Sequence, residues 1–591
     1  MKKITRLLDK FVSWQAEVLS DNQRVIILSV LVGFFVGLAA VTIKNLVHVI
    51  HVVAELIIHS KYPWLYIVLP IVGISITVAF VKYINRRPVR HGIPGVLYAI
   101  SKNRGHMNRH NVYSSVLTSA FTVGFGGSVG LEGPTVATGA AIGSQIGQFL
   151  KLNYKQITLL LGCACAGAMA SIFKAPIAAV VFALEVIMLD LTMAAIVPLL
   201  ISSATAAITG YLFWGQSALY GSFILEDTFK IGDIWHYILF AIFAGTVAAY
   251  FSKVYMFITG LFERFNRPWW QVLIGGSLLG LLVFFIPSLY GEGYEEVNMG
   301  LQGNLEFLFH NTPYSSAEVS VFSVLILLLV ILTLKVVATA LTFGAGGVGG
   351  IFAPTLFTGV IAGLFYSYVM QLFGVYLPVS NFALVGMSGL IAAVIHAPLT
   401  SIFLIAELTG GYELFVPLML VSTISYATTK IFVPNSVYTT LLAKRGELIT
   451  HHKDKAVLLL MRLDDLIETD FNTLKPNQKL GDLIETIKFT HRNVFPVVEE
   501  NGTFRGIVKL DDIRHIMFNS EMYNNIYVRD LMFMPDNIIF KHESVEEVAK
   551  KFQQSKRYNI VVIDRAKYVG VISRAKLFST YRELLEGFSE H

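Results

Sequence analysis

From Val336 to Ala406 the chain runs for 71 successive residues without an Asp, Glu, Lys or Arg. One helical crossing of a hydrocarbon core uses about 20 residues. A run roughly three times that length has to turn back inside a membrane. Four further uncharged stretches, Val25 to Ile43, Trp64 to Val81, Pro268 to Gly291 and Val319 to Leu334, are each long enough, or nearly so, to cross once. Only 15% of the 591 residues are charged and 54% are hydrophobic, with a mean hydropathy of +0.62. That balance places most of the chain in lipid and excludes an ordinary water-soluble domain.

Lys2, Lys3 and Arg6 favour a cytosolic N-terminus under the positive-inside rule. The charged C-terminal segment is expensive to translocate, so both ends are expected in the cytosol. The polar stretch from Asp9 to Arg24 stands where a signal peptide needs an apolar core, and no cleaved leader is expected. The net charge of +6 fits loop Lys and Arg beside lipid headgroups better than nucleic-acid binding. Cys163 and Cys165 lie in an apolar run with no ligand cluster beside them, so neither a metal nor a redox role is expected.

The membrane part is written twice. Gly124–Gly143 can be laid on Gly344–Gly363 with Gly, Pro and Thr positions largely coinciding. Ala175-Pro176, with Glu185 nine residues after the proline, is matched by Ala397-Pro398 with Glu407 again nine after. Glycine-rich segments leading into Pro and Thr suit broken membrane helices, and corresponding breaks in two halves point to a site where the repeats meet. The first N–H groups of a helix lack internal partners and carry partial positive charge. Two helix starts aimed at one point therefore cradle an anion weakly enough to release it.

Between Arg109 and Lys151 the only charged residue is Glu132, inside the first glycine-rich helix start. An isolated intramembrane carboxylate is costly and marks a transport or proton path by default. Ionised, Glu132 mimics the anion the helix start binds; protonated, it leaves the place free. Glu185 and Glu407 recur in both halves, late in their helices, and read as scaffold partners.

Gly130-Leu-Glu-Gly-Pro134, Gly350-Ile-Phe-Ala-Pro354, the upstream His91-Gly-Ile-Pro94 and the later Tyr438 resemble the four anion-coordinating segments of the CLC chloride channel and transporter family, in order and spacing over essentially the whole chain. The resemblance implies an all-α polytopic membrane protein of two inverted repeats with broken helices, working as a homodimer with one chloride pathway per subunit. The anion-binding residues it implies are His91, Gly92, Ile93 and Pro94; Gly130, Leu131, Glu132 and Gly133; Gly350, Ile351, Phe352 and Ala353; and Tyr438. Glu132 would be the external gating glutamate, amides around Ile351 and Phe352 would be ligands, and the Tyr438 hydroxyl an inner ligand. His91 replaces the family's usual Ser or Pro, and Leu131 its usual Lys or Arg, so anion preference stays open. In the family's exchangers a proton-relaying glutamate commonly follows the position of Glu185; here it is Val186, as in the channels. Valine carries no proton, so the expectation is a passive gated channel, with a proton-coupled chloride antiporter as the alternative.

After Leu442 the pattern becomes charged and alternating, and a helix–strand–turn–strand–helix unit occurs twice at a lag near 65 residues. The first has a helix over Leu480–Ile487, strands over Val494–Val498 and Gly506–Leu510, and a helix from Asp511 to Met517. The second has Val545–Phe552, Asn559–Ile563, Val569–Ile572 and Arg574–Leu584. These look like paired CBS motifs, making residues 446–591 a cytosolic α/β regulatory domain after a 1–445 transport domain. CBS pairs often bind adenine nucleotides. Asp512 and Ser573 match nucleotide-contacting positions, but each copy is incomplete, so a nucleotide sensor and a non-binding dimerising module stand side by side. No other cofactor is implied. An intramembrane enzyme would need a nucleophile–base pair or a zinc motif, which the sequence lacks, so no enzyme activity is expected. A membrane sensor signalling through the tail has no use for two anion cradles. The chain is expected to be multi-pass in the plasma (inner) membrane.

Overall fold

The computed structural model of the protein describes residues 20–59, 64–87, 92–187, 193–215, 229–309, 320–444, 461–555 and 557–589. His91 and the 445–460 junction lie outside them. Two compact units are formed, Met1–Leu448 and Ile449–His591.

The first unit is helical, and local chemistry explains where its helices begin. Pro176, Pro268 and Pro398 each open a helix, where a missing N–H costs nothing. Asn153 starts the Tyr154–Phe173 helix: its side chain accepts the Gln156 N–H at 2.9 Å while Gln156 accepts the Asn153 N–H at 3.3 Å. Among the described residues nine helices are long and apolar enough to cross a membrane. They fall into two kinds. The Tyr154–Phe173 and Phe352–Leu372 spans are 89% and 83% enclosed by protein, whereas Leu65–Asn85 and Pro268–Phe285 are only 33% enclosed. The open faces of the latter show side chains such as Leu278 and Leu281, apolar surface that suits lipid.

The enclosed helices depend on glycine for their closeness. Phe352–Leu372 packs on Val379–Ile395 so tightly that a Cβ on Gly359 would collide with the Gly386 carbonyl, and one on Gly386 with the Gly359 carbonyl. Without a hydrophobic drive between helices in lipid, such close packing supplies much of the association. Tyr237, Phe240 and Phe382 fill the space beside it, the Tyr237 and Phe382 rings stacked at 4.7 Å.

In the second unit Val494–Val498 pairs antiparallel with Phe504–Lys509, and Asn559–Asp564 pairs antiparallel with Lys567–Ser573, with Ile539–Phe540 added in parallel. Amphipathic helices Leu480–Lys488 and Val545–Ser555 supply Leu480, Leu483, Val548 and Phe552 to the buried clusters. These are the two repeats the alternation predicts. The helix expected over Asp511–Met517 is shorter, Leu510–Ile513. Tyr523 donates its hydroxyl to the Met517 carbonyl at 2.8 Å, fastening a turn where the helix would have continued.

Candidate functional site

The two glycine-rich segments meet. Gly130 donates its N–H to the Gly350 carbonyl at 2.9 Å and Gly350 returns the bond at 2.7 Å, an isolated antiparallel bridge between positions 220 apart in sequence. Around it the contacts are reciprocal. Thr342 Oγ1 accepts the Ser128 N–H and Thr122 Oγ1 accepts the Val348 N–H, both at 3.1 Å. Gly126 and Gly346 both turn the chain at φ +94, a left-handed conformation glycine reaches without strain. Thr135 and Thr355 each donate to the carbonyl four residues back, at Leu131 and Ile351. Such exchange, residue for residue, is the mark of a local twofold.

Helices start at Glu132 and Phe352 on either side of this bridge. A third start, Gly92, joins them: its φ is +42, and a Cβ there would lie 3.1 Å from the Gly133 Cα. A Cβ on Gly133 would in turn lie 3.1 Å from the Gly350 Cα. Gly92, Gly130, Gly133 and Gly350 thus let backbones converge where side chains would separate them, and Ile93, Leu131, Ile351, Phe352 and Ala353 are buried beside them. Pro94 is half-buried. Three helix starts in one buried volume make a positive region without a formal charge.

Glu132 sits in that region with no exposed surface. Tyr294 donates its hydroxyl to Glu132 Oε1. Oε2 has no partner at hydrogen-bond geometry among the described residues, and the Glu132 and Ala353 amides lie near the carboxyl. The buried Tyr438 hydroxyl likewise has no partner there, and its electrostatic neighbours are Glu132 and Tyr255. Buried polar atoms are almost always satisfied, which singles out this hydroxyl and this carboxylate oxygen.

Sequence reasoning missed the groups behind Glu132. Gly291-Glu-Gly-Tyr294 forms a turn, with φ +60 and +83 at its two glycines. From it Tyr294 reaches Glu132, and Glu292 Oε1 accepts the Leu131 N–H at 3.0 Å. Burial pushes the Glu292 carboxyl up to about 8, the Glu132 charge adding to the push while Lys44, the Leu131 N–H and Lys335 oppose it. Lys335 is fully buried; its Nζ lies 3.5 Å from the Gly291 carbonyl and 4.5 Å above the Phe357 ring. A signal was available: Lys335 is the only formal charge between Val319 and Ala406, the same isolation that singles out Glu132.

The scaffold carboxylates cap each other's repeat. Glu185 accepts the Leu399 and Thr400 N–H groups at 3.1 and 2.8 Å, plus the Thr400 hydroxyl. Glu407 accepts the Ile177 and Ala178 N–H groups at 3.0 and 2.7 Å. Val186, next to Glu185, is buried. In the second unit Asp512 is exposed. The Ser573 hydroxyl donates to Glu468 and accepts the Lys576 N–H at 3.1 Å, so the chain itself already uses it.

Residues 73–430 match the family described as voltage gated chloride channel, and residues 463–519 and 528–583 each match the CBS domain. A ClcB-like protein of Ralstonia nicotianae, named as a candidate chloride channel, is 31% identical over 393 residues, 65% of this chain and 87% of that one. The H(+)/Cl(-) exchange transporter ClcA of Salmonella typhimurium is 30% identical over 336 residues, 55% of this chain and 66% of that one. Among solved structures, a slow cyanobacterial Cl-/H+ antiporter shares the fold with a TM-score of 0.62 at 22% identity, covering 72% of this chain and 98% of that one.

Proposed function

The chain belongs to the voltage gated chloride channel family, and from that premise we propose that it exchanges chloride for protons, with Glu132 both gating the anion path and carrying the proton. The observation that carries this reading is the position of Glu132: fully buried, at a helix start, on the contact between repeats, with one oxygen held by Tyr294 and the other without a hydrogen-bond partner among the described residues. Ionised, its carboxylate occupies the positive region as a tethered anion. A proton neutralises it, the side chain loses its hold on the helix start, and chloride takes the vacated place. The Tyr438 hydroxyl, a donor without a partner among the described residues, receives the anion next on this reading, and the amides around Ile351 and Phe352 supply the rest.

Passive conduction is what Val186 leads one to expect and what the name of the ClcB-like relative carries; the support for exchange comes from other relatives. An exchange transporter shares 30% identity, and an antiporter shares the fold. Valine closes one relay position only; the proton then reaches Glu132 through water or other side chains. On this reading residues 1–445 form the transport domain and 446–591 a cytosolic regulatory domain, and two copies assemble with both termini in the cytosol.

Proteoliposomes with an internal pH reporter and an imposed chloride gradient test this. Chloride should drive protons uphill, and Glu132→Gln, which fixes the neutral form, should abolish proton movement while chloride flux persists and loses the part of its pH response that Glu132 sets. A reversal potential at the chloride equilibrium value in the parent protein, with no proton movement, would restore the passive channel. Unchanged pumping in Glu132→Gln would remove Glu132 from the proton path.

A further inference from the structure

Leu131 immediately precedes the Glu132 helix, so its N–H is among the first donors an arriving anion meets. In this structure that donor is taken: Glu292 Oε1 lies 3.0 Å from it. A carboxylate on a helix-start amide is chemically the same occupant as a bound anion. We propose that Glu292 is a second carboxylate gate on the path that Glu132 guards, holding the Leu131 N–H when ionised and yielding it to the passing anion when protonated. The inference rests on the exchange reading above and names a further residue for it.

The turn that presents Glu292 is fixed in place. A Cβ on Gly293 would lie 2.6 Å from Phe357, and the buried Lys335 ammonium sits between that ring and the Gly291 carbonyl. Tyr294, two residues on, holds Glu132. One short turn therefore controls both the gating carboxylate and the amide beside it. The charges facing Glu292 are Glu132, Lys44 and Lys335. Lys44 interacts with Glu132 as well, and Lys335 with Glu296, so the protonation states of the two carboxylate gates are linked through shared neighbours. The gating step needs only one proton, taken from the solution on the side that this turn faces and returned to it.

The sign follows from the chemistry. Burial raises the Glu292 carboxyl to about 8, so it is neutral at pH 7 and ionises above pH 8. Alkaline solution then closes the gate by charge and by occupancy. If only the protonated form passes anions, flux at pH 9 falls to about a tenth of its plateau.

The test measures chloride flux in proteoliposomes from pH 6 to 10, varying pH on each face in turn, with chloride-driven proton movement recorded in parallel. The parent should show an alkaline decline from one face. Glu292→Gln keeps an oxygen for the Leu131 N–H but cannot ionise; it should remove the decline, leave flux at pH 9 about tenfold above the parent, and still couple chloride to protons. The same alkaline decline in Glu292→Gln overturns the proposal. Should that variant not fold, Lys335→Met reads the same contact from the other side. Removing the cation should move the midpoint to higher pH, and an unmoved midpoint overturns the proposal equally. Glu132→Gln separates the two ideas: uncoupling there with an unaltered Glu292→Gln profile sinks the second gate alone.

Discussion

The Gly130–Gly133 and Gly350–Ala353 segments are one structure carrying two different side chains. Each donates to and accepts from the other, each is anchored by a threonine of the opposite repeat, and each begins a helix. At the second helical start, however, Phe352 stands where the first has Glu132, and its ring packs 5.2 Å from that of Phe173. What the segments share is what the fold needs: glycine where backbones touch. What they do not share is the carboxylate that, on the proposed reading, trades places with an anion. An enclosed helix start tolerates a carboxylate only if something pays its desolvation, and Tyr294 and the converging helix starts do so at one site alone.

The largest effect expected from breaking this pair is at Gly350. A Cβ there would lie 2.8 Å from the Gly133 N, backbone against side chain with nothing flexible to yield. Gly350→Ala should cost about 1–3 kcal/mol in thermal unfolding in detergent and suppress transport. At Gly130 the same methyl meets the Glu132 carboxylate, the movable end of a side chain, and the Ala353 methyl at 2.8 Å, side chains rather than backbone. Gly130→Ala should therefore be better folded than Gly350→Ala, yet displaced in its response to pH. Equal stability of the two would mean that the bridge is not the tight point of the fold.

Next in size is Phe352. Phe352→Leu keeps an apolar, buried side chain and should cost about 1 kcal/mol, with proton coupling intact and chloride flux within roughly threefold of the parent. Coupling lost in Phe352→Leu, as in Glu132→Gln, would show that both starts handle the proton and would erase the distinction between them.

The sequence showed the repeat, the membrane class and Glu132 because each leaves a one-dimensional trace: a missing run of charges, a spacing of glycines, one carboxylate alone. It also showed the tail's strands as short apolar runs between turn signals, and their centres, Phe495 to Val497 and Ile560 to Val562, are buried. Glu292 and Tyr294 left no such trace. They lie about 160 residues from Glu132, in a turn rich in acids that reads as a solvated loop, and only folding brings them to Leu131 and Glu132. Lys335 was visible by its isolation, but its partner, the Gly291 carbonyl, is a backbone atom that no side-chain pattern announces. The Gln156 cap and the prolines at helix starts follow local rules and need no tertiary knowledge.

The smallest effects concern the second matched pair, Glu185 and Glu407, and they bear on how the proton travels. Each carboxylate closes two N–H groups at the start of a helix in the other repeat, with Glu185 also holding the Thr400 hydroxyl. As a cap, each Glu→Gln replacement loses one acceptor and should cost about 1 kcal/mol. Glu407→Gln gives up one of two bonds and Glu185→Gln one of three, so the former should be the slightly less stable variant. Neither should change the ratio of protons to chloride, because each carboxylate is held by two backbone donors at once, which favour its charged form, where Glu292 holds a single one. Both stability and coupling are measured on the same purified variants, by thermal unfolding and by proton movement under a chloride gradient. A loss of coupling in Glu185→Gln alone would break the symmetry: Glu185 would then be relaying the proton that Val186 cannot, and the two caps would differ in the way the two helix starts do.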